Sequence, residues 1–247
     1  MFKDILRGLR AYWEAVRLLG QQGWWKFALV PGFISLGFGL IVFVLAFAYS
    51  DNIGRVLMTF YPFEQGRAVA QSVATVFGAL MIFAGALILF KNIVMLLVSP
   101  WMNQLSLKIE QHRTGSNYTD DRSFVTAFKR TARVNLRILL REVFLIILLL
   151  LVAWVPIIDF IVPIGIILIQ AYYAGFGNLD YFMDRHYSVK DSIAFVNRNK
   201  GVALGNGLGF LALLAIPIIG VFLAPTLGVA AATLSGIDCK NDSKSRD

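Results

Sequence analysis

The sequence predicts an all-α integral membrane protein with an N-terminal amphipathic surface helix, two full transmembrane helices and two proline-broken, hemi-penetrating helical hairpins. Three observations lead there. The 247 residues are 57% hydrophobic and only 15% charged, with a mean hydropathy of +0.68, where a soluble domain carries about 25% charged residues. The charges are missing from long windows and concentrated between them, which is the pattern a bilayer imposes. Proline then interrupts the later apolar windows.

The first element is the surface helix over residues 2–20. Phe2, Ile5, Leu6, Leu9, Trp13 and Val16 recur at helical spacing, and Lys3, Arg7, Arg10, Glu14 and Arg17 form the opposite stripe. Such a helix suits the plane of a membrane surface. Phe27–Tyr49 and Ala68–Phe90 are each 23 residues without a charge. At helical rise each reaches about 34 Å, enough to cross a hydrocarbon core of about 30 Å. The polar centre, Lys91–Glu142, holds a loop signal at Thr114-Gly115-Ser116-Asn117 and a basic helix from about Ser123 to Glu142. On that helix Arg130, Arg133, Arg137 and Arg141 share a face.

Val143–Phe182 contains Asp159 between Pro156 and Pro163, and Val202–Ile237 is interrupted by Pro217 and Pro225. Residues 155–163 and 216–225 both read apolar arm, Pro-Ile-Ile, short turn, Pro, apolar arm, a weak internal repeat. Each arm spans about 13–15 residues, or roughly 20–22 Å. Segments that short are more often re-entrant or buried than spanning, and two short full crossings per hairpin, which would give the same sidedness, are the alternative. A proline break at membrane depth needs protein or water to satisfy the freed groups.

Loop charge orients the chain. Lys and Arg number five in 1–26, two in 50–67, nine in 91–142, four in 183–201 and three after Ile237. Placing 50–67 outside puts every rich segment, and both termini, on the cytoplasmic face of an inner membrane. The net charge of +8 then reflects inward loops and a lipid bilayer as partner, with no call for nucleic acid. No Pro-, Gly- or Ser-rich linker divides the chain, so residues 1–238 read as one membrane domain and 239–247 as a polar, disordered tail. The single cysteine, Cys239, falls in that tail and excludes an internal disulfide. No cleavable signal peptide is expected. Walker-type, serine-elbow, HExxH and paired-cysteine motifs are missing, so neither an enzyme nor a cofactor is expected.

Leu179-Asp180-Tyr181-Phe182-Met183-Asp184-Arg185-His186 is similar to an Asp-Tyr-x-x-Asp-x-His segment of the CysZ-like sulfate permeases, which are grouped with the etoposide-induced membrane proteins. Gly23-Trp24-Trp25-Lys26-Phe27 running to Pro31, Ser99-Pro100-Trp101-Met102-Asn103, and the end of the second hairpin at Ala231-Ala232-Thr233 and Asp238 also resemble that family. The resemblance covers nearly the whole chain. It implies two transmembrane helices with two hemi-penetrating hairpins, assembled as a homo-oligomer. It also implies sulfate uptake toward cysteine synthesis, driven by an ion gradient. In the family, backbone amides and two adjacent arginines hold sulfate near the start of the first membrane helix. Here those positions are Trp25 and Lys26, so one cation has become tryptophan.

The candidate anion seat is thus Gln22, Gly23, Trp24, Trp25 and Lys26. The alternative is a joint with Lys26 snorkelling to the surface. Arg133, Arg137 and Arg141 line an anion path or face lipid head groups. Asp159 is either functional within the membrane or a helix cap. Asp180, Asp184 and His186 read first as salt-bridge partners of residues such as Arg185 and Arg198, with metal binding or proton relay as the alternative. Gly201, Gly205 and Gly209 form a small-residue row for helix packing. A small oxyanion transporter or channel is the leading function, and a membrane-shaping scaffold is the alternative.

Overall fold

The computed structural model describes residues 1–58, 93–119, 124–152, 162–216 and 218–244. Eight helices are bounded among them. They are α1 (Phe2–Gln21), α2 (Lys26–Met58), α3 (Ser99–Thr114), α4 (Phe124–Val152), α5 (Val162–Met183), α6 (Val189–Arg198), α7 (Lys200–Leu214) and α8 (Ile219–Lys244). The chain forms two compact units, Met1–Phe33 with Met95–Asp247, and Ile34–Val94. The second predicted transmembrane helix, the loop 50–67 beyond Met58, and the first hairpin turn with Pro156 and Asp159 lie outside the described residues.

In the larger unit, α8 is the central helix, with 78% of its apolar window buried. Around it stand α1, α3, α5 and α7. Small residues permit this density. A Cβ on Gly175 of α5 would meet the Ala203 carbonyl at 1.8 Å, and one on Gly207 of α7 would meet the Ala171 carbonyl at 1.6 Å. The predicted packing row on α7 receives α1: a Cβ on Gly205 would lie 2.1 Å from the Ile5 carbonyl, and one on Gly209 would lie 2.4 Å from the Tyr12 ring.

The surface helix therefore has two jobs. Its small face, Gly8, Ala11, Ala15, Leu18 and Leu19, is buried against α7 and α8. Phe2, Leu9 and Trp13 of the predicted apolar stripe stay exposed. In the smaller unit, α2 continues beyond Ile34 with Leu40, Phe43 and Phe47 exposed, the surface of a helix that faces lipid.

Three helices among the described residues are long and apolar enough to cross a membrane: Lys26–Tyr49, Val162–Met183 and Ile219–Ser243. The hairpin arms correct the sequence reading. α5 has 22 residues and α8 has 26, and only α7, at 15, matches the expected arm. The basic helix and the first arm of the first hairpin are one continuous helix, α4, of 29 residues. α8 passes through Pro225, because buried packing on its neighbours holds the helix where one backbone bond is lost. α7 ends at Leu214 and α8 begins at Ile219, and just before that start Ile218 takes φ +62°, a costly conformation for a β-branched side chain.

The tail is corrected too. α8 runs past Asp238 to Lys244, and Cys239 is buried. The physical reason is Arg7 of α1, which donates to Asp242 at 2.6 Å and approaches Asp238 at 3.8 Å, pinning the polar turns of α8 to the bundle.

Candidate functional site

The end of α5 gathers the charged groups. Asp180 and Asp184 are one helical turn apart and share a face, so one cation can serve both. That cation is Arg130 of α4: Nη1 lies 3.3 Å from Asp180 Oδ2 and also contacts Asp184 Oδ1. Nη2 donates to the Tyr187 carbonyl at 3.1 Å and to Ser192 Oγ at 3.2 Å. Both carboxylates are buried. The salt-bridge expectation named residues such as Arg185 and Arg198 as partners; among the described residues Arg130 is a partner of both carboxylates. It comes from a helix about fifty positions away, which local spacing does not reveal.

Arg185 turns to α3 instead. Its Nε and Nη2 donate to Glu110 Oε2 at 3.0 and 2.9 Å, and Nη2 also reaches Ser106 Oγ at 2.9 Å. His186 Nε2 contacts the other carboxylate oxygen, Glu110 Oε1. Burial works to raise the Glu110 pKa, but the His186 hydrogen bond and the Arg185 charge outweigh it and leave the carboxyl below its ordinary value. Ser106 Oγ lies 2.8 Å from Thr233 Oγ1 of α8, tying the network to the central helix. Deeper in the bundle, Asn178 donates to Asn206 at 2.8 Å, and Asn206 donates to the Gly228 carbonyl at 3.0 Å. Arg198 is exposed and lines a polar cavity of about 720 Å³ with Arg7, Tyr187, Asp191, Cys239 and Asp242.

The predicted anion seat lies at the other side of α3. Gly23, at φ +66°, turns the chain between α1 and α2, a backbone state glycine adopts without strain. Trp24 N–H then donates to the Leu19 carbonyl at 3.0 Å, and Phe27 N–H to the Trp24 carbonyl at 3.0 Å. Gln22, Gly23, Trp25 and Lys26 are exposed and Trp24 is half-buried. Two groups from α3 that sequence spacing missed stand beside the seat. His112 meets Trp24 edge-on with ring centroids 6.1 Å apart, and Lys108 Nζ sits 5.8 Å over the Phe27 ring.

Arg133, Arg137 and Arg141 are exposed on α4 and carry no ion pair among the described residues, so they do not join the buried network. Among the described residues no group of three His, Cys, Asp or Glu is placed to hold a metal ion.

A search of curated proteins finds no match. A family model described as sulfate transporter CysZ/etoposide-induced protein 2.4 matches residues 11–225. That span runs from α1 into α8 and encloses the α2 start, the Arg130 cluster and the Glu110 cluster, and the chain belongs to that sulfate transporter CysZ/etoposide-induced protein 2.4 family.

Proposed function

We propose that this protein passes a small oxyanion, sulfate foremost, across a cytoplasmic inner membrane as a homo-oligomer with cytoplasmic termini. The observation that carries the reading is Lys26 at the start of α2, exposed and without an ion pair among the described residues. With the Phe27 and Ala28 N–H groups bonded to the Trp24 and Trp25 carbonyls, this helix start offers an anion its positive dipole end beside the Lys26 ammonium. Lys108 of α3 adds a cation next to it and His112 stands against Trp24, where Trp25 replaces one of the family's two arginines. The family match supports the substrate class. The buried α5 cluster serves here as scaffold: Arg130, Arg185, Asp180, Asp184 and Glu110 are already matched to one another. The hairpins are proposed to be re-entrant; α7 reaches only about 22 Å, short of a crossing.

The experiment is uptake of labelled sulfate, molybdate and phosphate into liposomes containing the purified protein. Sulfate uptake above protein-free vesicles is expected, falling about tenfold in Lys26→Ala, the order of one lost charged contact. No flux of any oxyanion sinks the reading. One observation favours a second function, membrane shaping: Phe2, Leu9 and Trp13 are exposed beside exposed Lys3, Arg10 and Arg17, a wedge suited to one leaflet. Remodelled vesicles with no anion flux would select it.

A further inference from the structure

One face of α3 is polar from end to end. Ser99, Asn103, Ser106 and Glu110 fall within a sector of about 60° and extend over about 16 Å. Three of the four are turned inward, Ser99 at 1% exposed, Ser106 at 0% and Glu110 at 8%, while Asn103 is half-buried with its Oδ1 covered. Ser106 is satisfied by Thr233 and Arg185, and Glu110 by Arg185 and His186. One turn before α3, the Met95 carbonyl accepts a hydrogen bond from the Tyr181 hydroxyl. Between these bonded ends lies a gap. Ser99 Oγ and Asn103 Oδ1 are buried and have no hydrogen-bond partner among the described residues.

Buried polar atoms are nearly always paired, and an orphan costs the full desolvation of the group. Two orphans one helical turn apart, bracketed by bonded polar groups, present the several polar partners that a buried water needs. We infer that Ser99 and Asn103 hold ordered water inside the bundle, and that this wet stretch of α3 is the wall along which a partly dehydrated oxyanion passes. The second clause rests on the transport reading; the first does not. Ser99 hydroxyl and Asn103 amide are neutral groups that can both donate and accept. They can replace hydration water around an anion without trapping it as a fixed cation would. The bonded end at Glu110 and Arg185 closes the track with a neutralised pair.

The test uses thiol accessibility. In a Cys239→Ser background, Ser99→Cys, Asn103→Cys and Leu105→Cys are reconstituted in liposomes and treated with a small anionic methanethiosulfonate. Leu105 is the dry control, fully buried on another side of the same helix. The first two are expected to react at least about tenfold faster than the third, the margin expected when a buried site meets water. Equal rates at all three positions overturn the inference. A double variant, Ser99→Ala with Asn103→Leu, separates path from support. A wet path predicts an unchanged or raised thermal midpoint with reduced sulfate uptake. A lowered midpoint with uptake retained by the folded fraction overturns it. Reactive thiols in a protein that moves no oxyanion would keep the water site and remove only the transport reading.

Discussion

At the scale of single residues, Glu110 is the most consequential side chain on the polar side of the bundle. Its carboxylate holds both Arg185, whose side chain is 1% exposed, and His186. Removing one member of a buried pair leaves an uncompensated charge, at a cost of about 3–5 kcal/mol. Glu110→Ala is therefore expected to lower stability by that order in chemical unfolding in detergent. Arg7→Ala, which removes an exposed pair with Asp242, is expected to cost less than about 1 kcal/mol. Acid should act through the same group. Because the folded Glu110 pKa lies below its ordinary value, the unfolded chain binds more protons in that window, and stability rises with pH there. The Glu110 contribution is complete above the unfolded carboxylate pKa of about 4.3 and is lost as pH falls through the lower folded value. Thermal midpoints measured from pH 6 to pH 3 should fall at the acid end, and less steeply in Glu110→Gln.

At the scale of elements, the molecule depends on where helices lack side chains. The α5–α7 crossing leaves no room for a methyl at Gly175. Gly175→Ala is expected to destabilise by about 1–3 kcal/mol through overpacking. Gly177, two residues on, would meet nothing within 4 Å, so Gly177→Ala should be neutral or gain up to about 1 kcal/mol of helix propensity. No loss at Gly175 would show that the crossing is looser than described. Element identity was largely legible from the chain. The α1 periodicity, the charge-free stretch Phe27–Tyr49 of α2 and the glycine that ends α3 at Gly115, with φ +67°, all had local signals. Helix limits were not. Pro225 and the polar residues after Asp238 read locally as stops, yet neighbours buried around α8 supply what the isolated segment lacks.

At the scale of the whole molecule, topology gives a direct measurement. If the second hairpin enters and leaves on one side, Ile218, 69% exposed at its tip, sits within the bilayer. An Ile218→Cys variant in a Cys239→Ser background should then resist a membrane-impermeant maleimide added from the outer face. Rapid labelling from that face would mean a full crossing. Of the candidate site, the sequence marked Lys26, and it marked Asp180, Asp184 and His186 but not the partners that meet them. Glu110, Ser106 and Arg130 come from helices far along the chain, and no periodicity within one helix reports a contact between two.

Hydrophobic windows, loop charge and proline by themselves determined that this chain is helical and lives in a membrane, because the bilayer acts on each segment locally. The tertiary structure alone decided which face of α1 is buried, that α8 is central and continuous, and which cation meets which carboxylate. Those outcomes depend on small residues and charges from distant segments meeting in a low-dielectric interior, where an unmatched partner is too costly to persist.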